Sequence, residues 1–401
     1  MHADVVVVGG GVIGNSVAFY CARAGMSVIL VEQQDILNGT SSACDTAIHL
    51  QSKSPGVHLA MAMNSIKKYP ALQKEFDVDI HFKIAGTMLA IQREEQLEVM
   101  KSFAARQQAA GLNVSLLDTA RTIAKQPAMK GAELVGSTYC DQDATIHPQN
   151  LTKAYCFGAM KYGAKYLLHT AIRSFRIEDN CLTGVDTDQG MISCRWVVNA
   201  GGVFAPFIGK MMGLDIPIVP RRGQILVTEP VPKLTNTIVN CAKYIAAKFR
   251  PDLLGNSVED QLGIGLSLTQ TERGNLLLGG TREFVGYNTR TTRQAMVLIA
   301  RHGTAIIPAL KQINIIRSFA GLRPYTPDSL PIISTVPELK GLVVAAGHEG
   351  DGLALSAVTG EMVSEIIAGR PVSSGIDLSQ LSLARFSRED IDRFYRKYAV
   401  A

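Results

Sequence analysis

Charge is scarce in this chain of 401 residues: Asp, Glu, Lys and Arg make up 19%, against a usual share of about 25%. Forty Lys and Arg face 35 Asp and Glu, a net charge of +5, and no block of about five or six like charges occurs. Both facts argue against a nucleic-acid groove. Long apolar runs are missing too: none reaches the roughly 18 residues that a membrane-spanning helix needs. The opening Met1-His2-Ala3-Asp4 lacks the basic region of a signal peptide. The seven cysteines, Cys21, Cys44, Cys140, Cys156, Cys181, Cys194 and Cys241, form no Cys-x-x-Cys pair. That speaks against a disulfide framework or a cysteine-held metal or iron–sulfur site and predicts a reduced, cytoplasmic compartment. His58, His81, His147, His169 and His302 show no i, i+4 pairing with an acid, so no metal site is expected. There is no fixed-period repeat and no low-complexity segment. What is present is a 47% hydrophobic set, enough for two or three folding units at about 150 residues each.

The most informative segment comes first. Residues 4–8 are a valine-rich strand, Gly9-Gly10-Gly11-Val12-Ile13-Gly14 follows, residues 15–24 can form a helix that Gly25 ends, and residues 27–31 read as a second strand closed by Glu32 and Gln33. The spacing of Gly9, Gly11 and Gly14 suits a tight turn, a close approach to pyrophosphate and a close helix–strand contact, with the helix amino terminus facing the negative charge. Glu32 can accept ribose hydroxyls and would repel a 2′-phosphate. An ordinary βαβ turn with Glu32 on the surface would leave the three glycines without a reason. Strand, loop, helix, strand and acid in this order predict dinucleotide binding, and they do not separate NAD from FAD.

Further along, small residues at 39–43 suit a loop passing close to a flat ligand. Helices are expected near 57–76, 94–111, from His147-Pro148 to about Gly163, and near 292–307; a strand is expected at 86–91. Residues 171–200 read as a three-stranded β-meander leading into Gly201-Gly202 and a short helix to Met212. Strands at 223–229 and 313–318 and a hairpin across 262–283 predict a mostly antiparallel part. A strand at 342–346, the glycine loop Gly347-His348-Glu349-Gly350-Asp351-Gly352 and a helix from Leu353 to Ala368 then repeat the nucleotide-type pattern. A helix amino terminus there suits the anionic edge of a reduced flavin, and one ligand long enough to need both ends of the chain is FAD.

Taken together, residues 5–32, 143–148, 197–202, 220–229, Gly321-Leu322-Arg323-Pro324 with 326–332, and 346–360 resemble the D-amino-acid-oxidase-like superfamily of FAD enzymes. The resemblance covers nearly the whole chain and leans towards catalytic subunits of bacterial hetero-oligomeric amine dehydrogenases. These include the sarcosine oxidase β subunit, proline and D-hydroxyproline dehydrogenase subunits, and one subunit each of opine oxidase and hydrogen cyanide synthase. It implies an α/β fold: a discontinuous Rossmann-like FAD-binding domain of the GR2 type (1–85, 143–215 and 321–401) with an inserted, mostly antiparallel α+β substrate domain (86–142 and 216–320). By position, it implies that Gly9, Gly11, Val12, Ile13, Gly14, Glu32 and Gln33 hold the adenosine diphosphate half of noncovalent FAD. Ser41 and Ser42 would lie near pyrophosphate and ribityl, Ile172 would meet adenine through its backbone, and Gly201 and Gly202 would pass the pyrophosphate. Gly347, Gly350, Asp351, Gly352 and Leu353 would reach the flavin. Two departures stand out: Cys44-Asp45-Thr46-Ala47 replaces an asparagine- and glycine-bearing stretch, and no cysteine after Cys241 can carry the cysteine-linked flavin of monomeric sarcosine oxidases.

The expected chemistry is hydride removal from a carbon next to nitrogen, to flavin N5, giving an imine that water hydrolyses; the cofactor supplies the reactivity and the protein the placement. Arg323 is the candidate for the substrate carboxylate, its planar fork suiting bidentate recognition, against a purely structural role. His49 and His348 flank the expected flavin loops, where a histidine also serves as a local hydrogen-bonding group. Tyr244 is a candidate for the substrate side, and Asp351 is either a helix cap or a flavin contact. The expected partners are a small amino or imino acid of the D-hydroxyproline, opine, proline or sarcosine type and companion subunits carrying flavin or iron–sulfur centres. The competing readings are a self-contained, peroxide-producing oxidase and a catalytically idle FAD-binding scaffold.

Overall fold

The valines at the start of the chain leave no polar face, and a strand that is apolar on both sides has to be covered on both sides. In the computed structural model, which describes residues 1–398, His2–Val8 is the middle of an eight-stranded sheet. It pairs in parallel with Val28–Val31 on one side and with Gly190–Asn199 on the other. Lys165–Leu167 extends the sheet at one end; Leu339–Ala346, Cys181–Thr187 and Ile172–Glu178 extend it at the other, and Ile332–Val336 runs antiparallel to Leu339–Ala346. The helices Val12–Arg23 and Gly352–Ile367 cross on one face, closely enough that a Cβ on Gly360 would run into Ser16 and Tyr20. Ser16 Oγ donates to the Ser356 carbonyl at 2.7 Å across that contact. Both helix amino termini are thereby brought to the same end of the sheet, beside the carboxyl ends of the parallel strands, where open α/β sheets bind ligands.

The expected meander is opened. Its three strands and both turns are present, but Gly190–Asn199 leaves Cys181–Thr187 after Ser193 and pairs from Val197 onward with Leu342 to Val344. The reason is Val197 and Val198, fully buried, which gain more apolar cover in the parallel sheet than on the rim.

The second sheet also has eight strands: Ile315–Tyr325, Val219–Pro230, Asn275–Gly279, Ser267–Gln270, Ile238–Cys241, Thr87–Ile91, Gly136–Cys140 and Val114–Leu117, in that order. All its pairings are antiparallel except that of Ile238–Cys241 with Thr87–Ile91. Helix Arg293–Ile306 is capped by Thr292 Oγ1, which accepts from the Ala295 amide at 3.3 Å, and it buries Ala295, Ile299, Gly303 and Ile306 on one stripe. Ile299 and Ile306 pack with Leu226, Leu268, Leu276 and Leu278, each such burial contributing about 1.5–3 kcal/mol.

The strand expected to end at 318 runs on to Tyr325 and carries Arg323 within the sheet, opposite Arg221. Gly321 and Pro324 read as strand breakers, yet this is an edge strand, where proline is tolerated. Gly321 is needed there because a Cβ would strike the Ala43 carbonyl. Thr40 Oγ1 donates to the Leu322 carbonyl at 2.5 Å, so the edge of the second sheet is bonded to the small-residue loop of the first. Among the described residues no helix is long and apolar enough to cross a membrane.

Candidate cofactor and active site

The first glycine loop is shaped by what lacks a Cβ. Gly9 has φ +114°, and a Cβ on it would stand 2.6 Å from the Ala200 carbonyl oxygen; a Cβ on Gly14 would drive into the carbonyl of Gly9. Gly14 therefore acts as the packing glycine and lies behind the cavity wall, whereas Gly9, Gly11, Val12 and Ile13 line the cavity. The loop is held from three directions. The Gly10 amide donates to Glu32 Oε2 at 2.6 Å, the Val12 amide donates to Ser41 Oγ at 3.0 Å, and Asn15 Nδ2, fully buried, donates to the Gly10 and Gly11 carbonyls at 2.9 and 3.0 Å. Asn15 was not singled out in the sequence; its signal was a polar residue on the buried stripe of the helix. Glu32 also accepts from the Gln34 amide at 2.9 Å, so its carboxylate stiffens the loop as well as facing the cavity.

That cavity, of about 700 Å³, lies within the range of about 300–1,000 Å³ for cofactor and small-molecule sites. Glu32, Gln33, Ser41, Ile172, Gly201 and Gly202 line it from one end. Asn199 Oδ1 accepts from the Gly201 amide at 3.2 Å and shapes that turn. Ser42 does not line it; its hydroxyl turns back to the Gly39 carbonyl at 3.1 Å.

At the other end stand Gly347, His348, Glu349, Gly350, Gly352 and Leu353, with Arg323 beside them. Gly347 has φ +81°, and a Cβ there would meet Thr326 at 2.5 Å. His348 is buried, with Nε2 3.1 Å from Thr359 Oγ1; burial, and then the nearby His58, bring its pKa down to about 3. It is a neutral wall of the site at ordinary pH. Asp351 does not cap the helix: no backbone amide donates to it, and its carboxylate pairs with Lys53 at 2.7 Å and His58 at 3.0 Å. It does not line the cavity. Burial raises its pKa, but Lys53 and His58 outweigh that and hold it well below the carboxylate range.

Two expected site histidines thus part company, because His49 is not on the cavity wall. Its Nδ1 lies 3.3 Å from Thr87 Oγ1 and 3.8 Å from Asp143, and its Nε2 lies 3.2 Å from Asn240. It joins the segment after the strand Ala47–Ile48 to the second sheet. Tyr244 lies one layer behind the wall, where its hydroxyl accepts from Arg221 Nη1 at 3.3 Å.

Glu349, Arg221 and Arg282 were not foreseen. Glu349 lines the cavity with φ +50°, forms a short ion pair with Arg221 and stands 3.9 Å from Arg323 Nε. Burial raises its pKa, but Arg221 and then Arg323 more than offset this and bring it to about 2. Arg323 itself donates from Nη1 to the Thr281 carbonyl at 3.0 Å. Its guanidinium lies against Gly223, where a Cβ would displace it. Cys44 lines the cavity as a neutral thiol, since burial pushes its pKa up. Among the described residues no cluster of three or more His, Cys, Asp or Glu is placed to hold a metal ion.

Two glycine loops on two helix amino termini, facing one elongated cavity with an acidic residue at its far end, define a dinucleotide-binding oxidoreductase of the flavoprotein type. The chain belongs to the FAD dependent oxidoreductase (DAO) family, whose pattern matches residues 4–366. It is 26% identical to hydrogen cyanide synthase subunit HcnC of Pseudomonas aeruginosa, over 96% of this chain and 97% of the other. It is 28% identical to glycine oxidase of Geobacillus kaustophilus, over 95% and 97%. The crystal structure of L-proline dehydrogenase from P. horikoshii superposes with a TM-score of 0.86 at 28% identity, covering 97% of this chain and 99% of that one. FAD is the cofactor of the family, and the glycine cradle, whose turns leave no room for a Cβ, fits it.

Proposed function

We propose that this enzyme oxidises the carbon–nitrogen bond of a small amino or imino acid, as the catalytic subunit of a hetero-oligomeric dehydrogenase. The observation that carries the reading is Arg323: a guanidinium fixed on a sheet edge beside the cavity, with one bond to a carbonyl and its nearest carboxylate 3.9 Å away. A cation held in this way keeps donors free for a planar anion, and a bidentate pair fixes both distance and rotation. Bound FAD supplies the two-electron acceptor. Arg323 then orients the substrate by its carboxylate, Glu349 holds Arg221 and Arg323 in place, and neutral His348 closes the wall without adding charge. No acid–base dyad is required if the amine arrives unprotonated.

The reading assigns the adenosine diphosphate half to Gly9, Gly11, Glu32, Ser41, Ile172 and Gly201, and the flavin half to Gly347, Gly350, Gly352 and Leu353. It divides the chain into the FAD-binding and substrate-binding segments given above, with the strand Ile315–Tyr325 crossing their last junction. The reading takes the flavin as noncovalent, in keeping with Cys44, the cysteine on the cavity wall, whose pKa burial pushes up, away from the reactive thiolate. Acid precipitation should release all the yellow colour to the supernatant, and colour retained in the pellet contradicts this. Subunit character rests on HcnC, named as a subunit over nearly its full length.

Anaerobic mixing of the purified holoprotein with proline, hydroxyproline, sarcosine, glycine and opines tests the activity. Bleaching of the flavin band by one of these supports it, and bleaching by none overturns it. Brisk peroxide formation by the isolated chain would replace the dehydrogenase reading with that of a self-contained oxidase.

A further inference from the structure

One carboxylate on the cavity wall has no part in the chemistry so far. Asp45 lines the same cavity as Arg323 and lies in the stretch Cys44-Asp45-Thr46-Ala47 that departs from the family pattern. It is half-buried and bonded twice: Oδ2 accepts from Ser267 Oγ at 2.9 Å, and Oδ1 accepts from the Ala47 amide at 3.2 Å. Both donors are neutral, and among the described residues no lysine, arginine or histidine pairs with it. A carboxylate offers about four acceptor sites, so Asp45 has capacity left for a further donor. A charge withdrawn from water is kept where a counter-charge completes it.

The second sheet sets this anion across from a cation. Ser267 lies opposite Gly279 and Gly279 opposite Ile225, which lines the cavity, so this row of the sheet faces it. Gly223, two residues from Ile225 and therefore on the same face, is the residue against which the Arg323 guanidinium lies. The strand beneath Arg323 and the strand that holds Asp45 are two places apart in the sheet, roughly 10 Å at the usual spacing. Asp45 and Arg323 form no ion pair with each other. Burial and then Asp45 push up the pKa of the Cys44 thiol while Arg323 draws it down, so both charges act on the same stretch of wall. We infer that Asp45 binds the substrate nitrogen, accepting its N–H while Arg323 holds the carboxylate. This deepens the reading of the site as an amino- or imino-acid oxidising centre and rests on it for the position of the carboxylate. A small zwitterion bridges the two side chains with a charge-assisted hydrogen bond at each end. Primary and secondary amines keep an N–H after losing the ammonium proton, so the contact lasts into the neutral form that gives up hydride. A hydroxy acid brings no positive charge to Asp45, which makes this residue the one that selects amino over hydroxy acids.

The test is a titration of the FAD-loaded protein, read from the perturbation of the flavin absorption band and requiring no turnover. The ligands are 2-aminoisobutyrate, 2-hydroxyisobutyrate and pivalate, which share one shape and differ only in an ammonium, a hydroxyl or a methyl group. None has a hydrogen on the carbon next to the carboxylate, so none can be oxidised there. The wild-type protein is expected to bind 2-aminoisobutyrate about ten- to hundredfold more tightly than pivalate, the range for hydrogen bonds to a charged group, with 2-hydroxyisobutyrate close to pivalate. In Asp45→Asn the ratio should fall to within about twofold. Flavin content and far-ultraviolet circular dichroism show whether the variant has folded; if it has not, Ser267→Ala, which removes only the hydroxyl that fixes the carboxylate, should lower the same ratio. Wild-type protein without a preference for the ammonium, or a preference unchanged in the folded variant, overturns the inference. Pivalate binding without that preference leaves Arg323 and the oxidation reading standing, whereas binding of none of the three removes both. A preference lost in Asp45→Asn, without bleaching of the wild-type flavin by any of the amines named above, supports the ammonium site and refutes the oxidation reading.

Discussion

The two ends of the cavity are built by different means. Around Gly9 to Gly14 the work is done by backbone: amides, carbonyls and the absence of Cβ atoms, tied by Glu32, Ser41 and Asn15. Around Gly347 to Gly352 it is done by charge: Arg221, Glu349 and Arg323 in one group, Lys53, Asp351 and His58 in another. A backbone site is specified by shape over a few consecutive residues and tolerates little change in volume. A charged site is assembled from segments far apart in the chain and is tuned by which charges remain uncompensated.

The comparison can be broken most severely at the backbone end. Gly14→Ala puts a Cβ into the Gly9 carbonyl, and at about 3 kcal/mol, the upper part of the range for overpacking, it should yield protein largely without flavin. The absorbance ratio of the purified variant measures this. Normal flavin content would show that the loop can give way.

At the charged end the expected loss is in chemistry, not in cofactor. Arg323→Lys should retain FAD and lose about ten- to hundredfold in kcat/KM, equal to the 1.5–3 kcal/mol of a charge-assisted hydrogen bond. Arg323→Ala should lose more. Wild-type kcat/KM in both, with FAD bound, would make Arg323 structural and misplace the substrate.

His348 sharpens the comparison through pH. Neutral in the fold down to about pH 3, it titrates at about 6.5 when unfolded, so between those values the unfolded chain binds more protons. Its contribution to stability is full above about pH 6.5 and is lost as pH falls, by up to about 1.4 kcal/mol per unit. Urea midpoints at pH 7 and pH 5 should therefore differ less in His348→Gln than in the wild type; equal differences would show that the imidazole charges within the fold.

The smallest effect is expected from Glu32→Gln. The amide keeps one oxygen acceptor for the Gly10 amide or a ribose hydroxyl, so FAD affinity should weaken by about 1 kcal/mol, several-fold in Kd. Isothermal titration of the apoprotein measures it, and a loss as large as that of Gly14→Ala would mean that charge dominates this end too.

What the amino-acid order determined by itself is what local physics controls. The valine strand, the spacing of Gly9, Gly11 and Gly14 and the acid at 32 lie within one βαβ unit, where a turn either admits a Cβ or does not, and the glycine loop at 347–352 ahead of an apolar helix is legible for the same reason. Tertiary structure decided the rest. Arg221 meets Glu349 across 128 residues, through the pairing of Val219–Pro230 with the edge strand that carries Arg323, and no spacing along the chain announces that. Asp351 could equally have capped its helix; buried Lys53, brought in by a distant segment, took its carboxylate instead. His49 lost the cavity to the second sheet because Thr87 and Asn240 reached it there. Local sterics act over a few residues and can be read in order, whereas the partner of a charge is whichever segment the crossovers bring within about 4 Å, and that is settled only when the two sheets are assembled.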